Sequence, residues 1–121
     1  MRYPFSQPSE SLSRKILSPV PFKERLPAGR LKPPVGILPG DVRSLPELHL
    51  LLAPDDASLP GINLKALPEW IGGSIGDKEL AESIQAIVHA PLSYVEGCMK
   101  VYEVVSYRLD QARKIVEEAM S

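Results

Sequence analysis

The distribution of proline constrains this chain more than any other feature. The sequence has 121 residues and 13 prolines, about twice the usual share of roughly 5%. Twelve of the prolines lie in residues 1–68, and the other is Pro91. Proline lacks a backbone N–H and breaks the interior of a helix. The pattern therefore predicts only short regular segments in the first half, and it confines any long helix to the residues after Pro91.

Residues 1–40 are predicted to form an extended, proline-rich, basic arm. From Pro19 to Pro39 the prolines are too closely spaced for a helix, yet apolar side chains are interleaved with them, which a flexible linker rarely shows. Only between Ser9 and Ser18 is a short helix expected, capped by Ser9 or Ser11.

Charge is divided unequally along the chain. Residues 1–37 carry seven basic and two acidic side chains, a net charge of +5, whereas residues 38–121 carry seven basic and thirteen acidic side chains, or −6. This asymmetry predicts that the arm lies on an acidic surface. That surface could belong to nucleic acid, to a partner protein or to the rest of this chain.

Residues 41–121 are predicted to form a small helical domain. Ser44, followed by a glutamate three residues later, suits the cap of a short helix over Leu45–Leu52. Asp77 suits the cap of a second helix over Lys78–His89.

A short helical turn is expected to run through Trp70 and to end at Gly72-Gly73. Pro91 suits the first turn of a final helix from about Leu92 to Met120, which would form a hairpin with the preceding helix. The predicted fold is therefore mostly α, with short helices and a C-terminal helical hairpin that contains one long amphipathic helix, preceded by the extended arm.

The final helix carries an apolar seam. Apolar or small residues recur in alternating steps of three and four at Val95, Cys98, Tyr102, Val105, Leu109, Ala112, Val116 and Ala119. Such heptads are typical of a coiled coil or a helical bundle, and the positions between them, such as Arg108 and Gln111, are expected on a polar face.

The seam is either packed on the chain's own domain or covered by a second chain. The preceding helices would each span only about 12–18 Å at 1.5 Å per residue, so we expect them to leave part of it uncovered. An uncovered apolar stripe marks an interface. The predicted interface residues are Val95, Cys98, Tyr102, Val105, Leu109, Ala112 and Val116, with Phe22 and Trp70 as aromatic anchors.

The residues usual in catalysis are few and scattered. His49 lies among leucines, His89 at a predicted helix end, and Cys98 in the seam, so each is interpreted as structural. Two histidines and one cysteine are too few for a usual closed zinc site.

The glycine-rich and acidic turns likewise give no strong site. Gly72–Gly76 lacks the lysine of a phosphate-binding loop, and Asp77 places negative charge where phosphate would lie. Asp55-Asp56 with Asp77 or Glu79 could hold a cation, but acidic turn residues are usually just solvated. No catalytic, metal or cofactor residue is predicted.

One similarity can be given on the residues that carry it. Residues 43–84 contain a leucine-rich helix followed by an acidic turn (Leu45–Asp56), the pair Trp70-Ile71, and a helix start reading GDKELAESI at Gly76–Ile84. In these features the segment resembles a small prokaryotic domain family of unknown function. A stretch rich in histidine and aromatic residues, expected in that family before the tryptophan, is missing here. The resemblance implies no activity and no site residues.

These observations lead to one functional expectation and one main alternative. A non-catalytic small subunit or adaptor is expected, which binds a larger protein, or another copy of itself, through the arm and the long helix. The alternative is a nucleic-acid-associated protein whose arm contacts phosphates, although no dense basic run or known motif supports it. A third interpretation, an enzyme with a small unrecognised site, would need a cluster of polar groups that the sequence does not offer. With no signal-like N-terminus and no run approaching the ~20 apolar residues of a membrane span, we expect a cytoplasmic protein without membrane contact.

Overall fold

The computed structural model describes residues 5–32, 34, 36–53, 55 and 58–120. As the sequence predicts, the molecule is mostly helical. In chain order its elements are α1 (Glu10–Ile16), β1 (Leu26–Lys32), β2 (Gly36–Val42), α2 (Leu45–Leu52), β3 (Leu59–Gly61), α3 (Leu67–Trp70), α4 (Lys78–His89) and α5 (Tyr94–Met120). Single 3₁₀ turns at Phe22–Glu24 and Leu64–Ala66 precede β1 and α3.

Three helices begin where the sequence predicts. Ser9, Ser44 and Asp77 accept hydrogen bonds from the backbone N–H three residues further on, at 3.0, 3.2 and 3.1 Å, respectively. Each of these bonds satisfies one of the free donors at a helix N-terminus. The predicted starts of α2 and α4 are therefore confirmed, and of the two serines considered for α1 the cap is Ser9.

The long helix begins slightly later than predicted. Ser93 Oγ accepts a bond from Glu96 N at 3.1 Å, and the Glu96 carboxylate accepts one from Ser93 N at 3.2 Å. This reciprocal capping box starts α5 after Ser93 and leaves Pro91 in the connecting turn. The same two hydrogen bonds lower the pKa of Glu96.

The helical segment that contains Trp70 was predicted to end at Gly72-Gly73, but it extends further. It continues as a π-helical turn over Ile71–Ile75 and ends at Gly76, whose φ is 87°. A side chain at Gly76 would be strained at that φ, and its Cβ would lie 2.8 Å from the Lys15 Nζ. Glycine is therefore required at Gly76 rather than at the earlier pair.

The structure does not show an extended arm over residues 1–40. The described part of this region forms α1, the first 3₁₀ turn and an antiparallel hairpin of β1 and β2, paired from Leu26↔Val42 to Lys32↔Gly36. Strand β3 pairs with the other edge of β1, which gives the sheet order β2-β1-β3. Residues 1–4, 33 and 35 of the predicted arm lie outside the described residues.

The prolines are compatible with this sheet because they lie at positions where a backbone N–H is not needed for strand pairing. Pro39 and Pro60 occupy the two edge strands, where one side of the backbone needs no ladder partner. Pro27 lies in the central strand, but outside the Gly29–Leu31 stretch that pairs with β3. The number of prolines argued against a helix here, but it did not exclude strands whose prolines lie at the edges of a sheet.

The seam of α5 is covered by the chain itself along most of its length. This helix packs against α1, α2 and α4, and its residues from Cys98 to Ala112 supply five members of the buried apolar core. Phe5 and Ile16, from the predicted arm, belong to the same core. The coverage estimate from the sequence considered only α2 and α4. In the structure α1 packs against α5 as well, and the three short helices together cover most of the seam.

Arg108 is the main exception to the predicted polar face of α5. Its side chain is only 2% exposed, and Nε and Nη2 form a two-pronged ion pair with the Asp77 carboxylate at 2.7 and 3.1 Å. Nη1 donates to the Ser6 carbonyl at 2.9 Å and to Gln111 Oε1 at 3.1 Å, while the guanidinium lies 5.3 Å from the centre of the Phe5 ring. We call these five residues the N-terminal latch.

The latch connects three separate parts of the chain. Gln111 Nε2 donates to the Phe5 carbonyl at 3.2 Å, and the Glu79 carboxylate accepts from both Ser6 N and Ser6 Oγ. Asp77, as the cap of α4, also fixes where that helix begins. The first described residues are therefore held by polar contacts to α4 and α5 as well as by apolar burial.

Arg108→Met should destabilise the fold by about 3–5 kcal/mol, since it leaves the Asp77 carboxylate buried without its partner. A double variant, Asp77→Asn with Arg108→Met, should recover part of that loss, because asparagine can still cap α4 and carries no charge. Urea unfolding measures both effects.

The matched control is Arg14→Met, which removes the exposed ion pair with Glu10 and should cost less than about 1 kcal/mol. A loss for Arg108→Met no larger than that of this control would contradict the role given to the latch.

Candidate functional site

The structure separates the predicted interface residues into buried and exposed groups. Cys98, Val105, Leu109, Ala112 and Trp70 are buried in the core, Tyr102 and Val116 are half-buried, and Val95 and Phe22 are exposed. Burial raises the pKa of the Cys98 thiol, which fits an inert side chain. Trp70 Nε1 donates to the carbonyl of Glu24 at 2.6 Å. The structure brings the buried residues together inside the chain, so the accessible surface of α5 must be sought on its other side.

The opposite side of α5 carries a stripe that the sequence analysis did not single out. It contains Glu96, Met99, Lys100, Glu103, Tyr107, Asp110 and Lys114, and we call it the outer face of α5. At 3.6 residues per turn these positions point away from the buried row at Val101, Val105 and Ala112. Met99 is 56% exposed and Val95, beside it, is 44% exposed. The signal in the sequence was Met99 itself, an apolar side chain that lies outside the three-and-four repeat of the seam and widens the apolar stripe in the first half of the helix.

A shallow groove of 540 Å³ runs along the first half of this face. Met99, Tyr102 and Tyr107 give it a mainly apolar lining, and the carboxylates of Glu96 and Glu103 flank them. Lys100 and Ser106 complete the lining. Large apolar side chains beside charged ones are typical of a protein-contact surface.

The start of this face is held rigidly. The Tyr94 hydroxyl accepts a hydrogen bond from Ile62 N at 3.0 Å and donates one to the carbonyl of Pro60. Burial of the hydroxyl raises the pKa of Tyr94. Since these bonds tie the first turn of α5 to the end of β3, Val95 and Met99 project from a fixed backbone.

The aromatic part of the groove is supported from behind by His49. The rings of His49 and Tyr102 are stacked, with centroids 4.6 Å apart and an interplanar angle of 7°. His49 Nε2 lies 2.7 Å from Ser106 Oγ, whose own proton is donated to the Tyr102 carbonyl at 2.8 Å. The tautomer protonated at Nε2 is the one in which both of these hydrogen bonds form. Burial, and to a lesser degree the charge of Arg113, lowers the pKa of His49.

Arginines of the predicted basic arm are paired within the chain. Arg14 pairs with Glu10, Arg25 with Asp41 and Arg30 with Asp55, at 3.0, 3.1 and 3.7 Å. Asp41 and Asp55 belong to the acidic remainder of the sequence. Of the three acidic surfaces considered above, the one that these arginines contact in the structure is therefore the rest of the same chain.

The acidic residues considered for a cation are likewise engaged. Asp77 pairs with Arg108, and Asp55 accepts a hydrogen bond from Ser58 Oγ at 3.1 Å, whereas Asp56 lies outside the described residues. Within the described ranges, no three His, Cys, Asp or Glu side chains are grouped so that they could hold a metal ion. No helix in the described part of the chain has both the length and the apolar character needed to cross a membrane.

Comparisons with protein-family models, with curated proteins and with solved structures give no match. The resemblance of residues 43–84 to a prokaryotic domain family therefore stays a prediction, and the functional argument depends on the geometry of this chain.

The depressed pKa of His49 predicts a specific dependence of stability on pH. As pH falls, the unfolded chain, in which this histidine has its ordinary pKa of 6.5, takes up the proton before the folded chain does. Protonation therefore favours unfolding: the contribution of His49 is intact above about pH 6.5 and is lost as pH falls below it.

In His49→Phe, which retains a flat ring against Tyr102 but cannot be protonated, the free energy of unfolding should fall less between pH 7.5 and pH 5.5 than in the natural protein. Urea titrations at the two pH values measure the difference. His89→Phe, on an exposed residue, is the control. Equal pH dependence in the natural protein and His49→Phe would contradict the argument.

Proposed function

We propose that the protein is a non-catalytic interaction component that binds a protein partner through the outer face of α5. The observation that carries the proposal is the exposed pair Val95 and Met99, which continues into the aromatic groove. A side chain of this type contributes about 1.5–3 kcal/mol when it passes from full exposure to full burial. Partner binding would recover part of that free energy.

The long helix remains the binding element, as expected from the sequence, but the partner would contact its outer face instead of the seam. The seam residues from Cys98 to Ala112 stabilise the monomer, so a partner that needed them would have to open the core. The outer face requires no such opening, because α5 is already anchored by Tyr94 at its start and by Arg108 further along.

Phe22 offers an additional contact from the region predicted as an arm. It is 76% exposed, and the Arg25 guanidinium lies over its ring at 4.2 Å. This placement suits a rim contact, because the ring is already partly covered by a charged neighbour. The nucleic-acid alternative is less well supported, since Arg14, Arg25 and Arg30 already face carboxylates.

A photo-crosslinking amino acid in place of Met99 tests the proposal in cells of the native source. It should give a discrete protein adduct, which a Val95→Glu substitution in the same chain should reduce about fivefold or more, since a charge would then enter the apolar contact.

The matched control carries the same crosslinker in place of Glu82, an exposed residue on α4. Equal adduct yields at the two positions, or no adduct at position 99, would contradict a binding role for the outer face.

A further inference from the structure

We infer that the outer face of α5 pairs with the same face of a second copy of this chain, with the two helices antiparallel. The inference rests on the proposed function and names its partner. It is carried by the order of the charges along the outer face. When a second copy of this helix runs in the opposite direction, acidic residues of one helix face basic residues of the other.

The charge order becomes apparent when α5 is laid against an antiparallel copy with the two-fold axis at residue 105. Each residue then faces the one whose number completes a sum of 210. Glu96 faces Lys114 of the second copy, and Lys100 faces Asp110. Both pairs occur twice by symmetry, because each chain contributes both members.

The centre of the face fits the same register. Glu103 faces Tyr107 of the second copy, which sets a carboxylate acceptor against a phenol donor. Met99, which is 56% exposed, lies four residues before Glu103 and therefore at the edge of the same contact. The charge pairs set the alignment, and the apolar Met99 flanks them.

The opposite orientation gives the reverse result. In a parallel pair with equal residues in register, Glu96 would face Glu96 and Lys100 would face Lys100, so each charged position would be repulsive. The antiparallel register also uses almost the whole element: residue 105 is two residues from the midpoint of the 27-residue helix Tyr94–Met120. The overlap covers residues 94–116 and is about 34 Å long at 1.5 Å per residue.

The charges needed for this pairing are accessible. Lys114 and Asp110 contact each other at 3.5 Å within one helix, yet their side chains are 59% and 50% exposed. Glu96 and Lys100 are exposed as well. An exposed pair between residues four apart contributes little by itself, so both side chains can also face the second copy.

Sedimentation velocity of the full chain over a range of concentrations tests the inference. The natural protein should show a concentration-dependent monomer–dimer equilibrium. Lys100→Glu alone and Asp110→Lys alone should each weaken it by about fivefold or more, since each change replaces two attractions with two repulsions and leaves the capping box of Glu96 intact. The double variant Lys100→Glu with Asp110→Lys restores opposite charges at both contacts and should return the affinity to within about twofold of the natural value.

Glu82→Lys, an exposed charge reversal on α4, is the control and should leave dimerisation unchanged. Circular dichroism of each variant establishes that it is folded. If single reversals weaken the dimer and the double reversal does not restore it, the antiparallel register is overturned.

A natural protein that stays monomeric at every concentration overturns the second copy as partner. The proposed function then still stands if the crosslinker at position 99 gives an adduct whose mass adds a different protein. If that adduct is also missing, both fail. An adduct of twice the chain mass supports the inference.

Discussion

The buried ion pair between Arg108 and Asp77 is the interaction on which the rest of the structure depends. Asp77 begins α4, Arg108 lies in the middle of α5, and the remaining guanidinium donor holds the backbone at Ser6. Taking two charges out of water costs several kcal/mol per ion, and the structure offsets this with two-pronged geometry and with acceptors from Gln111 and Ser6. An arrangement that separates the two residues would leave a charge buried alone, which costs about 3–5 kcal/mol.

This constraint also determines which surface of α5 is available. Because the latch draws the first residues onto α4 and α5, α1 can pack beside the long helix and its Ile16 joins the core. The seam is thereby used for folding, and the exposed Met99 lies among charged residues on the opposite side. The apolar residues of α5 are therefore not confined to one stripe.

Local signals in the sequence predicted that the helices exist and where three of them begin, but they did not predict how the helices pack together. Ser44 and Asp77 could be recognised because a cap acts within three residues, and the seam because its repeat is local. The hairpin was missed because a proline count does not say that Pro39 and Pro60 lie on sheet edges. The burial of Arg108 depends on Asp77, 31 residues away, and on Ser6, 102 residues away. No local pattern reports such a pairing, and the outer face could be recognised only after the inner one was seen to be covered.

Distances between spin labels on the two copies test the central claim most directly. Labels in place of Glu117, an exposed residue near the end of α5, and of Glu103, each in a Cys98→Ala background, would be offset along the helix axis by about 36 Å and about 6 Å in an antiparallel pair centred at residue 105. An antiparallel pair gives a long distance at the first position and strong spectral broadening at the second. Equal distances at both positions would mean a parallel pair, and no intermolecular distance at either would mean that this face does not bind a second copy.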